Sequence, residues 1–312
     1  MECKKLITVL IPTYNEEDNV REIAEAVSNE FSDITRYDYE ILFIDNDSKD
    51  RTRDFIREMA SNNSHIKAIF NAKNYGQFNS PFYGILQAHG DCVITMVADF
   101  QDPPSLIHDY IKAWEEGYKI VLGQKTSSAE RGFFAWGRRK YYDFLKKHSD
   151  VDILEQVTGS GLYDREFVDI LKTLDDSKPY LRGVVAEMGY KIKLIQFRQP
   201  PRRAGKSSNN LFRYYDAVMQ SLTAYTKIGV RIAVPLGLTA TILSVSGLVI
   251  AAIYKLIHWD VFDLTEYLPW FIVLILLSAN MFFIGMVGEY VMDTNSRMKK
   301  RPLVVESERI NY

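Results

Sequence analysis

The segment MVADFQDPPS, residues 96–105, ends an apolar run at Asp99 and then sets Gln101 and Asp102 ahead of two prolines. A carboxylate and an amide two residues apart at a strand end can offer two oxygens to one hard divalent cation, which takes carboxylate, amide and phosphate oxygens together. Asp99 and Gln101 are therefore candidate metal ligands. Asp102 and the prolines would fix the turn, and Asp102 could add a carboxylate near a reaction centre. The same residues also read as a plain strand-to-helix turn, because proline lacks the N–H that a ladder needs and fits the first helical turn. Three further polar clusters follow apolar runs: PTYNEED (12–18), DNDSKD (45–50) and NAKNYGQ (71–77). Four acid- and amide-rich loops make a poor site for a bare anion. With a divalent cation they suit a metal-bound pyrophosphate.

These loops need elements that bring them to one edge. Apolar, β-rich runs alternate with helical patterns: LITVLI, a helix over about 16–31, YEILFID, a helix over about 51–61, IKAIF, a helix over about 79–89, CVITMV, a helix over about 104–116, and YKIVLG. In the first helix Val20, Ile23, Ala24, Val27 and Phe31 recur at helical spacing, with Asn15 placed as a cap and Asp18 three residues on. Strands alternating with amphipathic helices predict a doubly wound, mostly parallel α/β sheet, whose ligands bind beyond the carboxyl ends of the strands. Neither GxGxxG after the first strand nor GxxxxGK[ST] occurs, which argues against dinucleotide and P-loop sites.

The 312 residues are 47% apolar and carry a net charge of −2, enough for a full core and no global field for nucleic acid. Cys3 and Cys92 suggest neither a disulfide framework nor a zinc site, and none of the five histidines shows ligand spacing. The N-terminal apolar run is too short for a signal-peptide core. Near the other end, residues 232–254 and 267–288 contain no charge, and each exceeds the roughly 20 apolar residues that span a bilayer. They predict a transmembrane hairpin. Lys227 and Arg231 precede it and Arg297, Lys299, Lys300 and Arg301 follow it, whereas the connecting KLIHWDVFDLTE holds one lysine against three acids, so both long ends are expected in the cytoplasm.

Motifs in order along nearly the whole chain resemble glycosyltransferases of family 2 with the Rossmann-like GT-A fold. More narrowly they resemble the polyprenyl-phosphate sugar synthases, the group of dolichyl-phosphate mannose synthase and the GtrB-type bactoprenol glucosyltransferases. IPTYNEEDNV is similar to the opening nucleotide loop, IDNDSKDRT to the second acidic loop and ADFQDPPSLI to the metal motif; TGSGLYDREFVDIL and QPPRRAGKSSNNLFRYYDAV resemble the segments ahead of the acceptor site and the membrane hairpin. Val97 stands where the metal motif begins with an acid, Asn46 where many members carry aspartate, TGSG (158–161) where many carry an acid, and Ser208 where a lysine is common. The QxxRW motif of processive synthases is absent, which favours transfer of a single sugar.

The resemblance implies a nucleotide-sugar donor, Mg²⁺ or Mn²⁺, and inverting transfer to a polyprenyl phosphate on the membrane. It places the nucleotide among Pro12, Tyr14, Asn15, Glu17, Asp45, Asn46, Lys73 and Asp99, with Lys73 alternatively a solvated loop charge, and the acceptor phosphate at Arg131, Arg202, Arg203 and Lys206. It divides the chain into a catalytic domain (1–210), a juxtamembrane amphipathic helix (211–231), the hairpin (232–288) and a cytoplasmic tail (289–312), and it implies a homo-oligomer, with a tetramer as in bacterial relatives. Rival readings are a membrane glycosyltransferase with a saccharide acceptor and a non-catalytic nucleotide-sugar scaffold. The sugar itself is not legible.

Overall fold

The structure, a computed structural model, describes residues 4–126, 157–174, 176, 179–200, 263–298 and 301–312, and eight isolated positions between 239 and 257. The chain divides into two compact units: residues 1–143, 151–209 and 299–312 form one, residues 144–150 and 210–298 the other.

The first unit is built on a sheet whose strands are β1 (Leu6–Thr13), β2 (Asp38–Asp45), β3 (Ile66–Asn71), β4 (Cys92–Thr95), β5 (Ile120–Lys125), β6 (Val157–Asp164), β7 (Ile192–Phe197) and β8 (Glu306–Ile310). Their order is β7-β5-β6-β4-β1-β2-β3-β8. Strands β4, β1, β2 and β3 run parallel. Between them lie α1 (Val20–Ser32), α2 (Thr52–Asn62), α3 (Gly76–Gln87) and α4 (Leu106–Glu115); α5 (Arg165–Thr173) and α6 (Leu181–Glu187) follow β6. Strand order reverses at β1, with β2 on one side and β4 on the other, which is where such sheets open a ligand crevice.

Alternation along the central strands sends side chains into two cores. Ile7, Val9 and Ile11 of β1 with Ile41 and Phe43 of β2 pack under α1, α2 and α4, while Leu10, Leu42 and Ile44 pack under α3, α5 and α6. This gives the three-layer α/β/α arrangement that the alternating pattern predicts. Two strands depart from a parallel reading. β6 enters antiparallel between β4 and β5, and Gly161 permits its close approach, because a Cβ there would lie 2.4 Å from the Val121 carbonyl oxygen. β8, from the segment expected to be only a tail, pairs antiparallel with β3 and covers what would be an open edge.

Helix α1 starts at Val20 rather than near Glu16, and Asn15 is not its cap. Asn15 adopts a left-handed backbone (φ 55°), and its polar groups turn to the next loop instead. In the second unit, α7 (Asp263–Met298) is one helix of 36 residues that contains the charge-free run 267–288. Val273, Leu277, Ile284, Val287 and Val291 are exposed on it. Many of its side chains, and most of residues 232–254, lie outside the described residues, and among the described residues no helix is long and apolar enough to cross a membrane. The juxtamembrane helix expected over 211–231 also lies outside them.

Candidate active site

The loops after β1, β2, β3 and β4 all leave the carboxyl edge of the parallel strands, and the first two are stitched together residue by residue. Asn15 N–H donates to Ser48 Oγ (2.8 Å) and Asn15 Oδ1 accepts from Lys49 N–H (2.8 Å). Glu16 N–H donates to Thr52 Oγ1 (2.8 Å), Glu17 N–H to Asp50 Oδ2 (3.2 Å), and Glu17 Oε2 accepts from Arg51 N–H (2.9 Å). The sequence shows polar loops; it does not show that they satisfy each other.

Asp45 is fully buried beneath this seam. Its Oδ1 accepts from Arg53 Nε (2.5 Å) and Ser48 N–H (3.0 Å), and its Oδ2 accepts from Thr13 Oγ1 (3.2 Å) and Ser48 Oγ. Asn46, 8% exposed, is used as fully. Its N–H donates to the Thr13 carbonyl, its Nδ2 to Asn74 Oδ1 (3.0 Å) and the Gly76 carbonyl (3.1 Å), and its Oδ1 accepts from Tyr75 N–H (2.8 Å) and Asn71 Nδ2 (3.1 Å). An amide can donate and accept at once, so Asn46 couples the second loop to the third in a way that an ionised aspartate could not. Arg53, Ser48, Asn71 and Asn74 were not singled out from the sequence, although the eight-residue step from Asp45 to Arg53 and the Asn-x-x-Asn of the third loop are visible there. Of the expected cradle residues, Asp45 and Asn46 are buried and Pro12 is half-buried, while Tyr14, Lys73 and the loop-bridging Asn15 and Glu17 are exposed. Lys73 Nζ sits 5.1 Å from the Tyr75 ring centroid.

The fourth loop carries the acids. Asp99 is 5% exposed and its Oδ1 accepts from Gln101 N–H (3.1 Å) in an Asx turn, and Phe100 between them has a positive φ of 60°. A left-handed backbone at a bulky residue is costly and persists only where the surrounding structure holds it. Asp102 is 2% exposed, and its Oδ1 is buried without a hydrogen-bond partner. Burial pushes its carboxyl up to about 6, Lys125 pulling down, Asp99 pushing up, and the Val97 N–H and Arg182 pulling down. Val97, at the position where an acid was expected, thus contributes a backbone donor. Among the described residues no three carboxylate, imidazole or thiolate side chains gather as a metal cluster. Two neighbouring acids, one with an uncompensated buried oxygen, are a donor set that a hard cation fits when phosphate oxygens complete its shell. Arg131, Arg202, Arg203 and Lys206 lie outside the described residues.

Residues 8–171 match the model of glycosyl transferase family 2, over half of the chain. The chain belongs to glycosyl transferase family 2. It is accordingly a glycosyltransferase, and the matched region holds β1 to β6 with all four loops. It is 28% identical over 303 residues to YkcC, an uncharacterized glycosyltransferase of Bacillus subtilis strain 168, covering 96% of this chain and 92% of that one. It is 27% identical over 319 residues to the SfII prophage-derived bactoprenol glucosyl transferase of Shigella flexneri, covering 98% and 99%. Its fold is similar to that of glucosyl-3-phosphoglycerate synthase from Mycobacterium tuberculosis, solved with phosphoglyceric acid, at a TM-score of 0.50 and 16% identity over 70% of this chain and 78% of the other.

Proposed function

We propose that the protein transfers a single sugar from a nucleotide sugar to a polyprenyl phosphate at the cytoplasmic face of a membrane. The observation that carries this reading is the extent of the match to the bactoprenol glucosyl transferase of Shigella flexneri: it covers 98% of the chain, so it takes in both charge-free runs as well as the catalytic unit. Residues 232–254 and 267–288 are read as a membrane hairpin, and the apolar side chains exposed on α7 suit lipid rather than water. On that helix Asn280 Nδ2 donates to the Leu276 carbonyl (3.1 Å), so its polar group is satisfied within the helix. A long-chain acceptor cannot leave the bilayer, and an anchored enzyme meets its phosphate at the surface.

The step is an inverting displacement. An acceptor phosphate oxygen forms a bond to the anomeric carbon as the bond from that carbon to the donor diphosphate breaks, and the nucleoside diphosphate leaves. Phosphate monoesters are already ionised near neutral pH, so no strong base is required. Asp99 and Gln101 would hold Mg²⁺ or Mn²⁺, which when bound neutralises charge on the leaving diphosphate. The stitched first and second loops give the nucleotide a preorganised wall, and Arg131, Arg202, Arg203 and Lys206 are read as the cations for the acceptor phosphate.

The test uses detergent-purified full-length protein with undecaprenyl phosphate, Mg²⁺ or Mn²⁺, and labelled UDP-glucose, UDP-galactose, UDP-N-acetylglucosamine or GDP-mannose in separate reactions. Label extracted into organic solvent from one donor is the expected result. Label confined to a water-soluble saccharide, or none from folded protein with any of these donors, would overturn it.

A further inference from the structure

One amide of the third loop is fixed in direction and still has donors to give. Backbone groups settle how its neighbour Asn46 is turned: Tyr75 N–H donates to Asn46 Oδ1 (2.8 Å), and the Gly76 carbonyl accepts from Asn46 Nδ2 (3.1 Å). With Asn74 Oδ1 (3.0 Å) and Asn71 Nδ2 (3.1 Å) as its other partners, both hydrogens and both lone pairs of the Asn46 amide are used. Asn46 therefore has no hydrogen bond left for a ligand. Asn74 is exposed and only half used. Its Oδ1 accepts from Asn46 Nδ2 and from Gly76 N–H (2.8 Å), and its Nδ2 bonds to no other described residue. Two inward bonds to the oxygen hold the plane of this amide, so its N–H donors are presented in a set direction at the carboxyl edge.

The place of Asn74 along the sheet determines what it can meet. The Asp99 turn follows β4 and Asn74 follows β3, and the order β4-β1-β2-β3 puts three strand steps, about 14 Å, between the two loops. A nucleoside diphosphate with its phosphates at the Asp99 turn extends across β1 and β2 and brings the base edge remote from the ribose to the third loop. That edge carries a carbonyl oxygen in uracil (O4) and guanine (O6), and an amino group in cytosine and adenine. An N–H donor matches the first pair and opposes the second.

We propose that Asn74, through Nδ2, selects a keto base, uracil or guanine, in the nucleotide-sugar donor. The inference rests on the transferase reading. Asn74→Asp separates the inner role of this residue from the outer one, because it keeps an oxygen for Gly76 and Asn46 and puts an acceptor where the donor was.

Binding of UDP, GDP, CDP and ADP to the full-length protein in Mg²⁺ is measured by calorimetry. The ratio of keto to amino affinities is the readout, since an added negative charge weakens all four diphosphates alike. The parent is expected to favour UDP over CDP, or GDP over ADP, and Asn74→Asp to lower that ratio about tenfold at an unchanged melting temperature. Asn46→Asp, which loses the bonds to Asn74 and Gly76, is expected to lower the melting temperature and weaken all four by a common factor. A parent without a keto preference, or a ratio that Asn74→Asp leaves as it was, would overturn the proposal. So would a ratio that moves with Asn46→Asp alone, which would return the base to residue 46. A parent with the expected preference that transfers no sugar to undecaprenyl phosphate would count against the transferase reading and leave the role of Asn74 standing. A parent that binds none of the four would overturn both.

Discussion

Arg53 Nε lies 2.5 Å from Oδ1 of Asp45, an aspartate with no exposed surface, and the same guanidinium donates through Nη2 to the Asn71 carbonyl (2.6 Å). One side chain of α2 therefore ties the ends of β2 and β3 together under the stitched loops. Removing it leaves a buried carboxylate without its counter-charge, which costs about 3–5 kcal/mol. Arg53→Met is expected to lower the melting temperature of the purified protein by roughly 10 °C. An unchanged melting temperature would show that the remaining donors, Ser48 and Thr13, suffice.

Asp99 presents the opposite case, an acid whose role is read as chemical. Asp99→Asn keeps an acceptor for the Gln101 N–H and so should preserve the turn. Loss of one electrostatic contact to the departing charge is worth roughly 10²-fold or more in turnover. The expected outcome is that loss with a melting temperature within about 1–2 °C of the parent. Turnover within threefold of the parent, at any Mg²⁺ or Mn²⁺ concentration, would remove Asp99 from the metal assignment.

The buried Asp102 carboxyl makes stability depend on pH. Its folded value of about 6, raised chiefly by burial, stands above the unfolded value of about 3.9. The folded state binds the proton more tightly, so stability gained from protonation is fully present below about pH 4 and is lost as pH rises through about 6. Asp102→Asn removes the buried charge, and in chelator-treated buffer its stability relative to the parent should improve by on the order of 2 kcal/mol between pH 4.5 and 7.5. A difference that does not change with pH would contradict this.

The C-terminal strand has its own test. Arg57 pairs with Glu308 (2.7 Å), Tyr83 Oη donates to Glu306 Oε1 (2.7 Å), and Asn311 Nδ2 donates to the carbonyls of Ala60 (2.7 Å) and Ile66 (2.9 Å). Asn311 does so from a left-handed backbone, φ 57°. Asn311→Gly keeps that backbone accessible and removes only the two side-chain bonds, at an expected cost of about 1–2 kcal/mol. Truncation after Val305 removes β8 and exposes the β3 edge, so the truncated protein should melt earlier and aggregate faster than the point variant. Equal behaviour of the truncated and full-length proteins in melting and light-scattering assays would show that β8 is dispensable.

The four polar loops, the strands they follow and the parallel core were all legible in the residues, because alternation of apolar runs with 3.6-periodic segments is a local property. The start of the first helix is not legible: Asn15 looks like a cap in isolation, yet its backbone N–H donates to Ser48 and its side-chain oxygen accepts from Lys49, thirty-three and thirty-four residues away. The same holds for Asn46, whose four side-chain bonds reach residues of the third loop.

What the sequence determined by itself is therefore chemical type and order: which residues can offer oxygens, where strands end, and which long runs carry no charge. What only the tertiary structure decided is which of those oxygens are already spent. Asp45 and Asn46 are closed within the protein while Asp102 keeps a buried oxygen unmatched, and β8 returns from the far end of the chain to close an edge. Hydrogen bonding is short-ranged in space and indifferent to separation along the chain, so which groups satisfy each other emerges only when the sheet brings the loops together.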